Sequence, residues 1–101
     1  MFVSISSFDE TPEQLEEGMR HVREEVVPSI TGAAGLRHGY WAVDRDSGRR
    51  VGVMVWDSPE AAGSAMPEVA QAIKRIREAA GRIQAQRSPD STQRFELFAE
   101  V

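Results

Sequence analysis

Apolar residues at every second position open the chain, with Met1, Val3 and Ile5 on one parity and Phe2, Ser4, Ser6 and Phe8 on the other, which is the period of a strand. A first strand is predicted over residues 1–8. Thr11-Pro12-Glu13-Gln14 then supplies a capping hydroxyl, a proline at the first helical position and a Gln three residues past the cap. From there the period becomes helical: Leu15, Met19, Val22, Val26 and Ile30 form one stripe, and Glu17, Arg20, His21 and Glu24 lie away from it. Pro28 and the loop Thr31-Gly-Ala-Ala-Gly35 predict that this helix ends near Val27 to Ile30. His21, one turn from Glu17 and Glu25, reads as part of a solvated ion pair on the wet face.

Leu36–Val43 and Arg49–Trp56 read as two strands joined by Asp44-Arg-Asp-Ser-Gly48, an antiparallel hairpin. Asp57-Ser58-Pro59-Glu60 repeats the cap-then-proline signal and starts a second helix, expected to break at Met66/Pro67. Its continuation carries Val69, Ile73, Ile76, Ala80 and Ile83 inward and leaves Lys74, Arg75, Arg77, Glu78 and Arg82 as a solvated face. Gln84–Gln93 reads as a loop, and Phe95, Leu97, Ala99 and Val101 alternate with Arg94, Glu96, Phe98 and Glu100 as the last strand. The order β-α-β-β-α-β predicts an α+β, ferredoxin-like domain with an antiparallel sheet, occupying residues 1–101 as one unit.

The third strand departs from simple alternation. Val51, Val53 and Val55 share one parity, Gly52, Met54 and Trp56 the other, and neither set is polar. One layer of helices covers only one face of such a sheet, so the other face calls for a second cover. The expected cover is a second copy of the chain, its sheet meeting this one face to face in a homodimer.

Composition narrows the chemistry. Twelve basic against sixteen acidic residues give a net charge of −4, which removes any general attraction to nucleic acid or anionic membranes. The basic residues of the second helix lack interleaved aromatics, so no nucleic-acid partner is expected. With no cysteine there is no disulfide, thiolate metal site or cysteine nucleophile, and two histidines on different elements predict no metal site. The N-terminal residues lack the basic and apolar regions of a signal peptide, and no stretch approaches membrane-spanning length, so a cytoplasmic location is expected.

His38 and Tyr40 share a parity and could bracket a ligand as base and hydroxyl donor, or sit at the rim of an edge strand. Ser4 and Ser6 interrupt an apolar face with small hydroxyls, as a ligand pocket requires, or are satisfied by neighbouring backbone. Trp56, at the end of its strand, either walls a pocket or packs the sheet's end. Arg37 and Trp41 lie on the opposite parity to His38, Arg37 for a surface or interface contact and Trp41 for the dimer core.

Gly35-Leu-Arg-His-Gly39-Tyr-Trp41, the hairpin with Gly48, and Val53-Met-Val-Trp56-Asp-Ser-Pro-Glu-Ala-Ala62 together resemble the dimeric α/β-barrel proteins of the antibiotic-biosynthesis-monooxygenase type over nearly the whole chain. The resemblance implies a homodimeric α/β barrel with a ligand pocket between sheet and helices. It also implies cofactor-independent oxidation of a small aromatic or polyketide-like molecule, with His38 or Tyr40 assisting proton transfer and Trp56 shaping the wall. Haem-degrading relatives use an Asn on the first strand, a Trp within the second helix and an axial His. This chain has no Asn, places Ser4 and Ser6 in the candidate strand positions, carries Ala65 or Met66 near the Trp position, and has no His after His38. No cofactor is therefore expected, and Met66 joins Ser4, Ser6 and Trp56 as a pocket candidate. The alternative reading is a non-catalytic ligand-binding or structural homodimer of the same fold.

Overall fold

The computed structural model describes residues 1–82 and 87–101. Four strands, β1 (Phe2–Asp9), β2 (Leu36–Asp44), β3 (Arg49–Trp56) and β4 (Ser91–Glu96), form an antiparallel sheet in the order β2-β3-β1-β4. Between them run α1 (Pro12–His21), which passes through a π-turn (Val22–Val26) into α2 (Val27–Ile30), and α3 (Pro59–Ala79). This is the ferredoxin-like α+β plan predicted from the alternation, with β3 coinciding at both ends.

Local chemistry fixes the boundaries. The Thr11 hydroxyl accepts from the Gln14 N–H at 3.3 Å while the Gln14 side chain accepts from the Thr11 N–H at 2.9 Å, so both ends of the capping box close. The Ser58 hydroxyl accepts from the Ala61 N–H at 3.1 Å and starts α3. In the hairpin, the Asp44 carboxylate accepts from the N–H groups of Asp46 and Ser47, and Gly48 takes φ +77°. A side chain at Gly48 would come within 2.5 Å of the Glu10 carbonyl, so glycine is required by both dihedral and space.

Phe2 and Trp56 face each other in the β1–β3 register and are buried with Ile30, Ala65, Val69 and Ile73. Each of the larger of these side chains contributes about 1.5–3 kcal/mol by leaving water, and the Ala65 methyl less. Trp41 also packs against this cluster, on the helix side of the sheet and not on the face expected to meet a partner.

Two elements differ from the sequence pattern. α3 is continuous through Pro67. The bond that Pro67 cannot make would run to Gly63, and both residues are exposed, so the freed carbonyl faces water and the helix survives. β4 starts at Ser91 and ends at Glu96, earlier than the alternation alone places it. Pairing decides this: β4 aligns with β1 from Phe2↔Glu96 to Ser7↔Ser91, and residues 98–101 lie past the end of β1. Ile83 and the first part of the expected loop fall outside the described residues.

The π-turn follows from Pro28. In a regular helix its ring would strike the carbonyl of Glu24. Widening the preceding turn, with the Val27 N–H bonded to the Val22 carbonyl, moves the backbone aside. The extra residue also changes phase and brings Glu25 inside, where it is 0% exposed. Four donors surround it at 3.0 Å each: His21, Arg20, Arg77 and Arg82. His21 is thus half of a buried pair and not a solvated one, and Arg77 and Arg82 point at the first helix instead of forming a free basic face.

A second buried ion pair ties the connection between β1 and α1 to β3. Arg50 Nε donates to Glu10 at 2.7 Å, both side chains are almost fully buried, and the guanidinium lies 4.1 Å from the centre of the Phe8 ring. Gly18 makes the space, since a Cβ there would stand 2.6 Å from Arg50 Nε. Arg87 reaches the other oxygen of Glu10 at 3.2 Å and donates to the Asp9 carbonyl at 2.7 Å.

Candidate functional site

On the helix-facing side of the sheet, β1 presents Ser4 and Ser6, and its neighbours in register are Met54 and Gly52 on β3 and Arg94 and Thr92 on β4. All six residues of β4 are exposed, so none of the described helices roofs that edge. Short side chains on β1 beside an unroofed strand leave an open cavity of about 820 Å³ between the sheet and the first half of α3. Its apolar wall is Phe2, Met54, Trp56, Ala62 and Met66, and its polar strip is Ser4, Ser6, Thr92, Arg94 and Glu96. Trp56 is 1% exposed, so its indole serves the core and the cavity wall at once.

The structure brings Ser4, Ser6, Trp56 and Met66 to this one cavity. It does not bring His38 and Tyr40 there. β2 carries a bulge between Leu36, which pairs with Trp56, and His38, which pairs with Val55. In a regular strand Leu36, His38 and Tyr40 would share the helix side; the extra residue, Arg37, turns His38 and Tyr40 to the other face. There their rings stack at 6.0 Å, and Tyr40 is 58% exposed. Arg37 pairs with Asp57 at 3.1 Å, which satisfies one of the two carboxylates at the cavity mouth.

Sequence pattern does not single out Arg94 and Glu96, because alternating charges on an edge strand look like ordinary solvated positions. The signal lies in their parity once β4 is paired with β1: they share a side with Ser4 and Phe2. Among the described residues neither makes a hydrogen bond or ion pair with another side chain. No group of three or more His, Asp or Glu suited to a metal ion occurs among the described residues. No helix there is long and apolar enough to cross a membrane.

Fold and cavity together define an α+β protein with a small-molecule-sized opening between a ferredoxin-like sheet and its helices. The same fold is found in antibiotic-biosynthesis-monooxygenase-like proteins of known structure. A monooxygenase from the gene ActVA-Orf6 of Streptomyces coelicolor, solved in complex with Nanaomycin D, superposes with a TM-score of 0.71 at 16% identity over 99% of this chain and 89% of that one. The heme-degrader MhuD of Mycobacterium tuberculosis, solved with two hemes bound in its active site, gives 0.70 at 17% identity over 100% and 99%. A candidate antibiotic biosynthesis monooxygenase of Chloroflexus aurantiacus gives 0.68 at 20% identity over 99% and 95%. At these identities the likeness is one of fold. No family model matches the chain, and no curated protein sequence is detectably similar to it.

Proposed function

We propose that this chain binds a small, flat, aromatic or polyketide-like molecule in the cavity between sheet and α3 and oxidises it without a cofactor. The observation that carries this reading is the open cavity itself, apolar along Phe2, Met54, Trp56 and Met66 with a short polar strip beside it. An electron-rich substrate such as an anthrone loses a proton from its CH₂ carbon, and the carbanion gives its electrons to dioxygen. One oxygen atom becomes the new carbonyl and the other leaves as water with the two hydrogens. The protein's share is to hold the ring, keep it dry and accept the first proton. His38 and Tyr40 stand on the opposite face, so the roles expected of them pass to the cavity's own polar strip.

Oxygen-electrode measurements with anthrone-type substrates test this reading. Uptake of one O₂ per substrate is expected, falling about tenfold or more in Met66→Glu, which puts a charge on the apolar wall. His38→Ala and Tyr40→Phe are expected to change the rate less than about twofold, one small step on the scale on which 1.4 kcal/mol is tenfold. Absence of protein-dependent uptake overturns the oxidation.

The second reading, a non-catalytic binder, is favoured by one observation: among the described residues the cavity lining holds no imidazole and no phenol. Retention of a ligand in native mass spectrometry with no oxygen uptake would select it.

The chain is further proposed to work as a homodimer through the sheet face away from the helices. That face carries the rows Tyr40–Val53–Ile5 and His38–Val55–Val3, and among the described residues no helix lies on it. Sedimentation at micromolar concentration is expected to give twice the chain mass, and Tyr40→Glu, which buries a charge in the contact, is expected to give the monomer. A wild-type monomer under those conditions rejects the dimer.

A further inference from the structure

The charged groups along the cavity are unevenly satisfied. Asp57 is held by Arg37 at 3.1 Å, whereas the Arg94 guanidinium has no acceptor among the described residues. Glu96, two residues along on the same side of β4, does not come within ion-pair distance of it. Arg94 stands directly opposite Ser4 in the β1–β4 register, and Ser4 in turn stands opposite Met54. Across two strand spacings, about 10 Å, the floor therefore passes from an unpaired guanidinium, through a hydroxyl, to the apolar wall of Met54, Trp56 and Met66.

We propose that the ligand of this cavity is an aromatic monocarboxylate, its carboxylate on Arg94 and its ring over Met54 and Trp56. This deepens the ligand-cavity reading above and rests on it. A guanidinium offers a planar fork of N–H donors that matches a carboxylate in two parallel hydrogen bonds. The Ser4 hydroxyl, which donates as readily as it accepts, completes the shell from the neighbouring strand. Glu96 restricts the ligand to one anionic group, because a second carboxylate on the β4 side would meet a like charge. The methionines Met54 and Met66 let the apolar wall adapt to different ring outlines, so discrimination between ligands falls mainly on the anion.

Isothermal titration calorimetry of the full chain with 2-naphthoate and with its neutral counterpart 2-acetonaphthone tests the assignment. The acid is expected to bind about tenfold more tightly than the ketone in the wild type. That advantage should vanish in Arg94→Gln and persist in part in Arg94→Lys, which keeps the charge without the fork. Arg94 is exposed on an edge strand, and a thermal melt of each variant confirms folding. Equal affinities for acid and ketone in the wild type, or an acid preference that survives Arg94→Gln, overturn the Arg94 subsite while leaving the cavity as a ligand site. Binding of neither probe overturns the subsite and the cavity reading together.

Discussion

Glu25→Ala is expected to lower the melting temperature followed by circular dichroism by about 15 °C or more. Removing one partner of a buried ion pair typically costs about 3–5 kcal/mol, and a domain of this size loses about 4–8 °C per kcal/mol. Without the carboxylate, Arg77, Arg82 and His21 lose the acceptor on which they converge, while Arg20 retains Glu17 and Glu24 and Arg82 retains Glu24 at 3.9 Å. Burial by itself raises the Glu25 carboxyl, and hydrogen bonds from His21, Arg77 and Arg20 more than reverse this, holding it at about 2 against the ordinary 4.5. A depressed carboxyl stabilises the fold fully above its unfolded value and loses that contribution as pH falls. Stability should accordingly drop by about 3 kcal/mol between about pH 4.5 and pH 2. In Glu25→Gln this acid limb should flatten, and a limb as steep as the wild type's would show that other carboxylates set it.

Arg50→Ala is expected to cost about 3 kcal/mol in urea denaturation, with no change in the slope of the transition. Among the described residues Glu10 would keep Arg87, at 3.2 Å, and the Phe8 ring would lose the Arg50 guanidinium lying against it. The space vacated lies beside Gly18, which has no side chain to fill it. The double variant Glu10→Leu, Arg50→Met should lose less than the two single changes together, because exchanging a buried pair for apolar side chains removes the desolvation cost of both charges. Additive losses would mean that the two side chains act independently despite their 2.7 Å contact.

Much of the architecture is legible in the sequence because it is written in short-range codes. The cap at Thr11, the cap at Ser58 and the Asp44 turn each consist of neighbouring residues whose side chains close on nearby backbone. Strand parity likewise identifies Ser4 and Ser6 as polar breaks on the Phe2 side. Phase is where the reading stops. One inserted residue in the helix brings Glu25 inside, and one inserted residue at Arg37 sends His38 and Tyr40 to the far face of the sheet. Neither insertion has a local signature as strong as a cap, although Pro28 is the physical reason for the first. The extent of β4, and with it the place of Arg94 in the cavity, depends on pairing with β1 at the other end of the sequence. Long-range register of that kind is not carried by alternation alone.

The strand order has a kinetic consequence. β1 lies between β3 and β4, so Phe2 is opposite both Trp56 and Glu96. The β2–β3 hairpin can form locally within about microseconds, but β1 must wait for a long loop to close before it gains one neighbour, and for nearly the whole chain before it gains the second. During synthesis the first strand to emerge is therefore the last to be fully paired. Until β3 arrives Val3 and Ile5 are carried on a segment with both backbone edges open, and until β4 arrives one edge stays open, which makes this interval the period of greatest exposure to aggregation.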